Sequence, residues 1–286
     1  MDALTPHEKN ADQAAYWNGP GGQHWTNRQE IQDAVLAPVS QALIARAAIA
    51  PGESIIDIGC GCGATTLAIA AQTGPAGRAL GLDISAPMLA RAKERTPPGA
   101  PVRWTVADAT VYPFEPGSAD LLFSRFGVMF FADPALSFAN MRAALRSGGR
   151  LAFACWREPR QNPWLTLPLQ AAYQHAPRPP ELGPEDPGPF SFASEERVKG
   201  VLGKAGFSSI AMQPVDLRLD IADGGGLDAA VEGALEIGPA SRALEGQPSE
   251  VRTAAAGAIR AALAPHHKGD SVPLDAAIWI VTAVNP

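Results

Sequence analysis

The sequence predicts an α/β protein: a mostly parallel sheet with helices on both faces. Between Ser54 and Trp156, strand-like and helix-like segments alternate. The strand-like segments are almost uniformly apolar, as strands covered on both faces must be. The first of them runs straight into Gly59-Cys60-Gly61-Cys62-Gly63 and then into an Ala-rich helix. A glycine loop between strand and helix lets the backbone approach a ligand at the positive end of the helix.

The elements follow in order. Residues 10 to 30 are Gly-rich and aromatic, with Tyr16, Trp17 and Trp25. Gly19, Gly21 and Gly22 predict a mobile arm whose aromatic side chains close over a site as a lid. Ile31, Val35, Leu36, Val39, Leu43 and Ile44 recur at helical spacing, with a break expected at Pro38. "SIIDI" reads as the first strand, and 64 to 72 as a helix. "GRALGLDIS" is a strand ending at Asp83, followed by a helix from Ala86 to about Arg95, with Ser85 as its N-cap. "PVRWTVADAT" is a strand ending near Asp108, and "SADLLFSRFGVMFF" is a fourth. Asp133-Pro134 opens a helix to Arg146, stopped by Ser147-Gly148-Gly149, and "RLAFACW" is a fifth strand.

Beyond Trp156 the texture changes. Six prolines between 177 and 189 exclude regular structure there. A helix is expected from about 194 to 205, a strand over "SSIAMQPVDLRLDI", and helices over 226 to 264 broken near Gly238-Pro239 and Gly246 to Pro248. "DAAIWIVTAV" closes the chain as a strand. The plan is an N-terminal lid with helices over 1–50, a core over 51–156, an insertion over 157–193, core again over 194–221, a helical cap over 222–268, and a final core strand over 269–286.

Bulk properties narrow the function. The 286 residues are 46% apolar, enough for a full core, and the net charge is −6 with no Lys/Arg run longer than two, which argues against a nucleic-acid partner. No apolar stretch is long enough to span a bilayer, and the start is polar and acidic. Three cysteines, Cys60, Cys62 and Cys155, are an odd and sparse set that fits a reducing cytoplasm. Cys60-x-Cys62 lacks the second pair that structural zinc uses, so both read as small loop fillers and no metal is expected.

The loop departs from the dinucleotide pattern Gly-x-Gly-x-x-Gly, because Ala64 stands where its third glycine belongs. Asp57 before the loop also suits an ammonium group better than a pyrophosphate. Asp83 lies twenty residues past Gly63, where a carboxylate can accept a ribose diol, and Asp108 ends the next strand. Three successive strands ending in or near an acid line one crevice in an open sheet.

With "IIDIGCGCGATT", "GLDIS...ML", "VADAT", "DLLFSRFGVMFFADP" and "LRSGGRLAFACW", the chain resembles the class I S-adenosylmethionine-dependent methyltransferases of the small-molecule, UbiE-like (methyltransferase type 11) group over about 51 to 156. The resemblance implies a Rossmann-like doubly wound seven-stranded sheet with its last strand antiparallel and inserted. With the insertions added, helical caps complete the fold class. It also implies S-adenosyl-L-methionine as cofactor, S-adenosyl-L-homocysteine as product, and roles for matching residues. Gly59, Cys60, Gly61 and Gly63 lie along the methionine part, and Asp57 meets its amino group directly or through water. Asp83 holds the ribose, Ile84 and Met88 sit near adenine, and Asp108 with Ala107 and Ala109 addresses the adenine amine. Arg125 and Phe126 flank the methionine end and the acceptor pocket.

Met129, Trp156 and Trp164 are expected at the acceptor with the lid aromatics, and Phe190 and Phe192 border the same region. His24 is the best-placed of five histidines for a general base, ahead of His175, while His266-His267 reads as a solvated loop. The expected reaction is in-line methyl transfer to a small, partly apolar acceptor. A macromolecule methyltransferase, a non-catalytic cofactor-binding module and an NAD(P)-dependent oxidoreductase are the alternatives. The motifs specify neither the acceptor atom nor the oligomeric state.

Overall fold

The sheet is built outward from its first strand. In the computed structural model, which describes residues 7–178, 183 and 185–286, β1 (Ser54–Ile58) lies at the centre between two parallel neighbours. On one side come β2 (Arg78–Asp83) and then β3 (Val102–Val106), each parallel to the last. On the other come β4 (Ala119–Arg125) and β5 (Leu145–Trp156), also parallel. β7 (Pro273–Val284) then runs antiparallel between β5 and the edge strand β6 (Ser208–Asp220), giving the order β3-β2-β1-β4-β5-β7-β6.

Helices cover both faces: α4 (Ala37–Ala47), α5 (Ala64–Thr73), α6 (Ala86–Glu94), α7 (Pro134–Arg142) and α9 (Glu195–Lys204). Phe123, Phe138, Phe153 and Phe192 are fully buried in the main core, each contributing about 2 to 3 kcal/mol by apolar burial. Asp133 and Ser85 cap α7 and α6 through their side chains, which is why both helices start where they do.

The two insertions fold as one body. α8 (Pro163–Ala172) from the first packs on α11 (Pro239–Ala243) and α12 (Ser249–Leu263) from the second, and α10 (Gly226–Glu236) packs on the same two helices. Together they enclose a second core rich in alanine, with Leu244, Ile259 and Leu263 at its centre. The proline-rich run over 177–189 lies partly outside the described residues. No helix among the described residues is long and apolar enough to cross a membrane.

Three sequence expectations are corrected. The fourth strand stops at Arg125, because Phe126 turns into the left-handed region (φ 72°) and Gly127–Phe130 forms a short 3-10 turn. The helix expected to reach Arg146 ends at Arg142, and Leu145 already pairs with Ala119. The ladder resumes at Leu121–Arg150, so Arg146–Gly149 bulges outward. Asn285 holds the bulge: its side chain donates to the Leu145 and Arg146 carbonyls, and its own carbonyl accepts from Gly148 N–H. Finally, the Gly-rich arm is helical rather than loose: α1 (Ala11–Asn18), α2 (Pro20–Asn27) and α3 (Gln29–Val35) precede α4, and the break at Pro38 falls between the last two. A Cβ on Gly22 would lie 1.9 Å from the Trp17 carbonyl oxygen, and one on Gly21 would enter the Tyr16 ring. Those glycines permit close helix packing.

Candidate functional site

A cavity of about 1080 Å³ opens between the strand ends, the N-terminal helices and the cap. Its floor is the loop after β1. The N–H groups of Gly59 and Cys60 donate to the Leu82 carbonyl (2.8 and 3.3 Å), and Gly61 N–H donates to Asp83 Oδ2 (2.7 Å). Ser85 N–H donates to Asp83 Oδ1 (2.8 Å), so the carboxylate is strapped between loop and helix start. Burial, only partly offset by these amide donors, raises the Asp83 pKa. The carboxylate lines the cavity. Gly59 sits at φ 65° with its Cα against Gly127, where an added Cβ would come within 2.6 Å of the Gly127 Cα.

Asp57 lies beneath the cavity wall. Thr65 and Thr66 hydroxyls both donate to its Oδ2 at 2.7 Å, while Oδ1 is buried with no partner among the described residues. Burial pushes its carboxyl up to about 6, against the two threonines and Arg125. The cavity wall above it is Thr65. Gly63 is likewise absent from the wall. It starts α5 in the left-handed region, packed against Trp104 and Ala92.

Ile84, Met88, Ala107, Asp108 and Ala109 form one end of the cavity. The Asp108 carboxylate accepts from His7 N–H (3.0 Å), Asn10 Nδ2 (2.8 Å) and Thr110 N–H (2.8 Å). At the other end Phe126 stacks on Trp156 (centroids 4.0 Å, 17° between planes), Trp164 adds to the pair at 4.9 Å, and Met129 and Phe190 lie alongside. Arg125 donates to Ser40 Oγ (2.8 Å), and desolvation lowers its pKa.

The roof is Tyr16, Trp17, His24 and Trp25 from the N-terminal helices. Trp17 meets Phe130 edge-on at 5.2 Å. Arg242 of the cap lies 4.8 Å over the Tyr16 ring, and Arg28 bridges to Glu236 at 2.8 Å, so arm and cap clasp each other. His175 and His267 are exposed and line no part of the cavity. Phe192 is in the core, not the pocket.

All three cysteines are buried free thiols with pKa values raised by burial, Cys62 to about 12. No metal-binding cluster of His, Cys, Asp or Glu occurs among the described residues. Sequence reasoning missed Asn10, Thr65, Tyr173 and Arg242, all on the cavity wall. Thr65 was within reach, as the residue two places after the last loop glycine. The other three have no local pattern.

A methyltransferase domain model matches residues 55–149. The chain is 32% identical to 2-methyl-6-phytyl-1,4-hydroquinone methyltransferase of Synechocystis sp. across 115 residues, 40% of this chain and 36% of that protein. It is 34% identical to demethylmenaquinone methyltransferase of Staphylococcus aureus across 98 residues, 34% of this chain and 41% of the relative. It is also 39% identical to an uncharacterized 37.1 kDa protein of transposon TN4556 from Streptomyces fradiae across 101 residues, 35% of this chain and 29% of that one. The chain thus spans well under half the length of the curated relatives it matches. Among solved structures, the YcgJ protein of Bacillus subtilis aligns with TM-score 0.55 at 14% identity, covering 86% of this chain and 97% of that one. Phosphoethanolamine N-methyltransferase 2 of Haemonchus contortus aligns with TM-score 0.53 at 20% identity, covering 87% and 52%. These two likenesses concern the fold. The matching methyltransferase domain, residues 55–149, thus holds β1 to β4 of the β3-β2-β1-β4-β5-β7-β6 sheet and the glycine loop on the floor of its crevice.

Proposed function

We propose that this chain transfers a methyl group from S-adenosylmethionine to a small, partly apolar acceptor by in-line displacement, releasing S-adenosylhomocysteine. The observation that carries the reading is one cavity with two chemically distinct ends: the glycine loop with Asp83, and the Phe126–Trp156–Trp164 group. At about 1080 Å³ it has room for a cofactor and an acceptor together. The cofactor supplies an activated methyl group on a sulfonium.

The residues fit that cofactor. The loop glycines bring backbone against it, Asp83 puts a carboxylate on the cavity wall for a ribose diol, and the unpartnered Asp57 Oδ1 offers negative charge beneath Thr65. The protein's part is to orient the two reactants and exclude water, and the clasped arm and cap supply that closure. An acceptor hydroxyl or acidic carbon must lose a proton, and His24 on the roof is our candidate base. Two relatives are named for a demethylmenaquinone and a phytyl-hydroquinone acceptor, which favours an apolar ring compound. Three buried free thiols and an acidic surface balance fit a reducing cytoplasm and argue against nucleic acid.

Calorimetry checks the reading. S-adenosylmethionine and S-adenosylhomocysteine should bind with micromolar affinity, and Asp83→Ala or Gly61→Arg should abolish it. Binding of NADH instead would overturn it. A labelled-methyl screen over phenols, quinols, carboxylic acids and amines then separates an enzyme from a module that only binds.

A further inference from the structure

Asn10 is a buried side chain that ties the N-terminal segment into the crevice. It is 3% exposed, and 98 residues separate it from Asp108. Its Nδ2 donates to Asp108 Oδ2 (2.8 Å) and to Thr110 Oγ1 (2.9 Å), and its Oδ1 accepts from Ala132 N–H (3.1 Å). Asp108 Oδ2 also accepts His7 N–H, and Oδ1 accepts Thr110 N–H. An ionised carboxylate offers about four acceptor sites. Both on Oδ2 are taken, and Oδ1 has one left. Asn10 and Asp108 line the same end of the cavity, between Ala107 and Ala109.

Building on the cofactor reading above, we infer that Asn10 is a positioning residue that sets the choice of purine. It pins Asp108 so that the single remaining site on Oδ1 receives the exocyclic amine of adenine. A 6-oxo purine places a carbonyl oxygen there instead. A pinned carboxylate cannot swing away, so two acceptors confront each other and the wrong base is rejected. Without Asn10 the carboxylate is held only by His7 and Thr110 N–H and is fixed less firmly. It then holds the amine less well and rejects the oxo group less well. Adenine recognition and docking of the N-terminal segment become one event.

The test compares S-adenosylhomocysteine with S-inosylhomocysteine, in which oxygen replaces the amine, by calorimetry on the full chain. Wild type should prefer the adenosyl compound by roughly a hundredfold. Asn10→Ala should weaken its binding about tenfold and narrow the preference to under about tenfold. Asn18→Ala is the control. Asn18 ties the same helix down through the Ile84 carbonyl (2.9 Å) and Ala86 N–H (2.9 Å) without touching Asp108. It should weaken both ligands by the same factor. The inference is overturned if Asn10→Ala keeps the full preference, or if Asn18→Ala narrows it equally. Equal binding of both ligands by wild type overturns it whether or not either variant folds. If wild type binds neither, the cofactor reading itself fails and this inference falls with it.

Discussion

The two walls of the cavity are made of different material. The core wall is mostly backbone: loop amides, a carboxylate strapped by Gly61 and Ser85 N–H, and a glycine-to-glycine contact between Gly59 and Gly127. The cap wall is side chain: Trp164, Tyr173 and the aliphatic groups of α8 and α10, standing on a second core of small residues. A backbone wall has one shape whatever ligand arrives. A side-chain wall can be recut by substitution without disturbing the sheet. The frame and the insertions thus give one cavity two kinds of wall.

The largest expected effect breaks the core wall. At Gly127 a Cβ would lie 2.7 Å from both the Gly59 Cα and the Ile58 carbonyl oxygen, backbone atoms that cannot step aside. Gly127→Val should cost about 4 kcal/mol of stability and abolish cofactor binding. Urea unfolding and calorimetry read the two losses.

Next in size is a charge that the same wall carries at a cost. Asp57 titrates near 6 in the folded chain, against an ordinary 3.8. Between pH 4 and 6 the native state therefore binds more protons than the unfolded one. Its contribution is favourable below about pH 4 and is lost as pH rises through 6, amounting to about 3 kcal/mol at neutral pH. Asp83, also raised by burial, has the same sign. Asp57→Asn keeps an acceptor for Thr65 and Thr66. It should raise the melting temperature at pH 7, flatten the pH 4 to 6 limb of the stability curve, and weaken cofactor binding. An unchanged limb would clear Asp57 of that role.

The cap wall gives the smallest and most selective effect. Trp164→Ala should lower kcat/KM for the acceptor by about 2 kcal/mol, roughly thirtyfold. The dissociation constant for S-adenosylmethionine should stay unchanged. Parallel loss of both would mean the walls are not separable.

The same division explains what could be read from the sequence. Strand, glycine loop and strand-end acid are local patterns, so β1 to β3 and Asp83 were legible. The run "FGVMFF" looks like strand, and only the contact of Gly127 with Gly59 turns it away. The bulge at Arg146–Gly149 depends on Asn285, some 140 residues on. Asn10 carries no pattern at all, since its partners lie about a hundred residues distant. Asp57 was legible as the acid before the loop, whereas Thr65 and Thr66 in front of it show only in the packed α5.

The insertion of β7 between β5 and β6 has a consequence for the order of assembly. During synthesis, the five strands β3-β2-β1-β4-β5 can pair as they emerge, whereas β6 has no neighbour until β7 arrives after it. For that interval the growing chain exposes two unpaired edges, those of β5 and β6, and a cap whose α12 already stands but whose floor is missing. The final dozen residues of sheet then zip both edges at once. Whatever guards a nascent chain of this kind has its work at that late moment rather than during formation of the cofactor crevice.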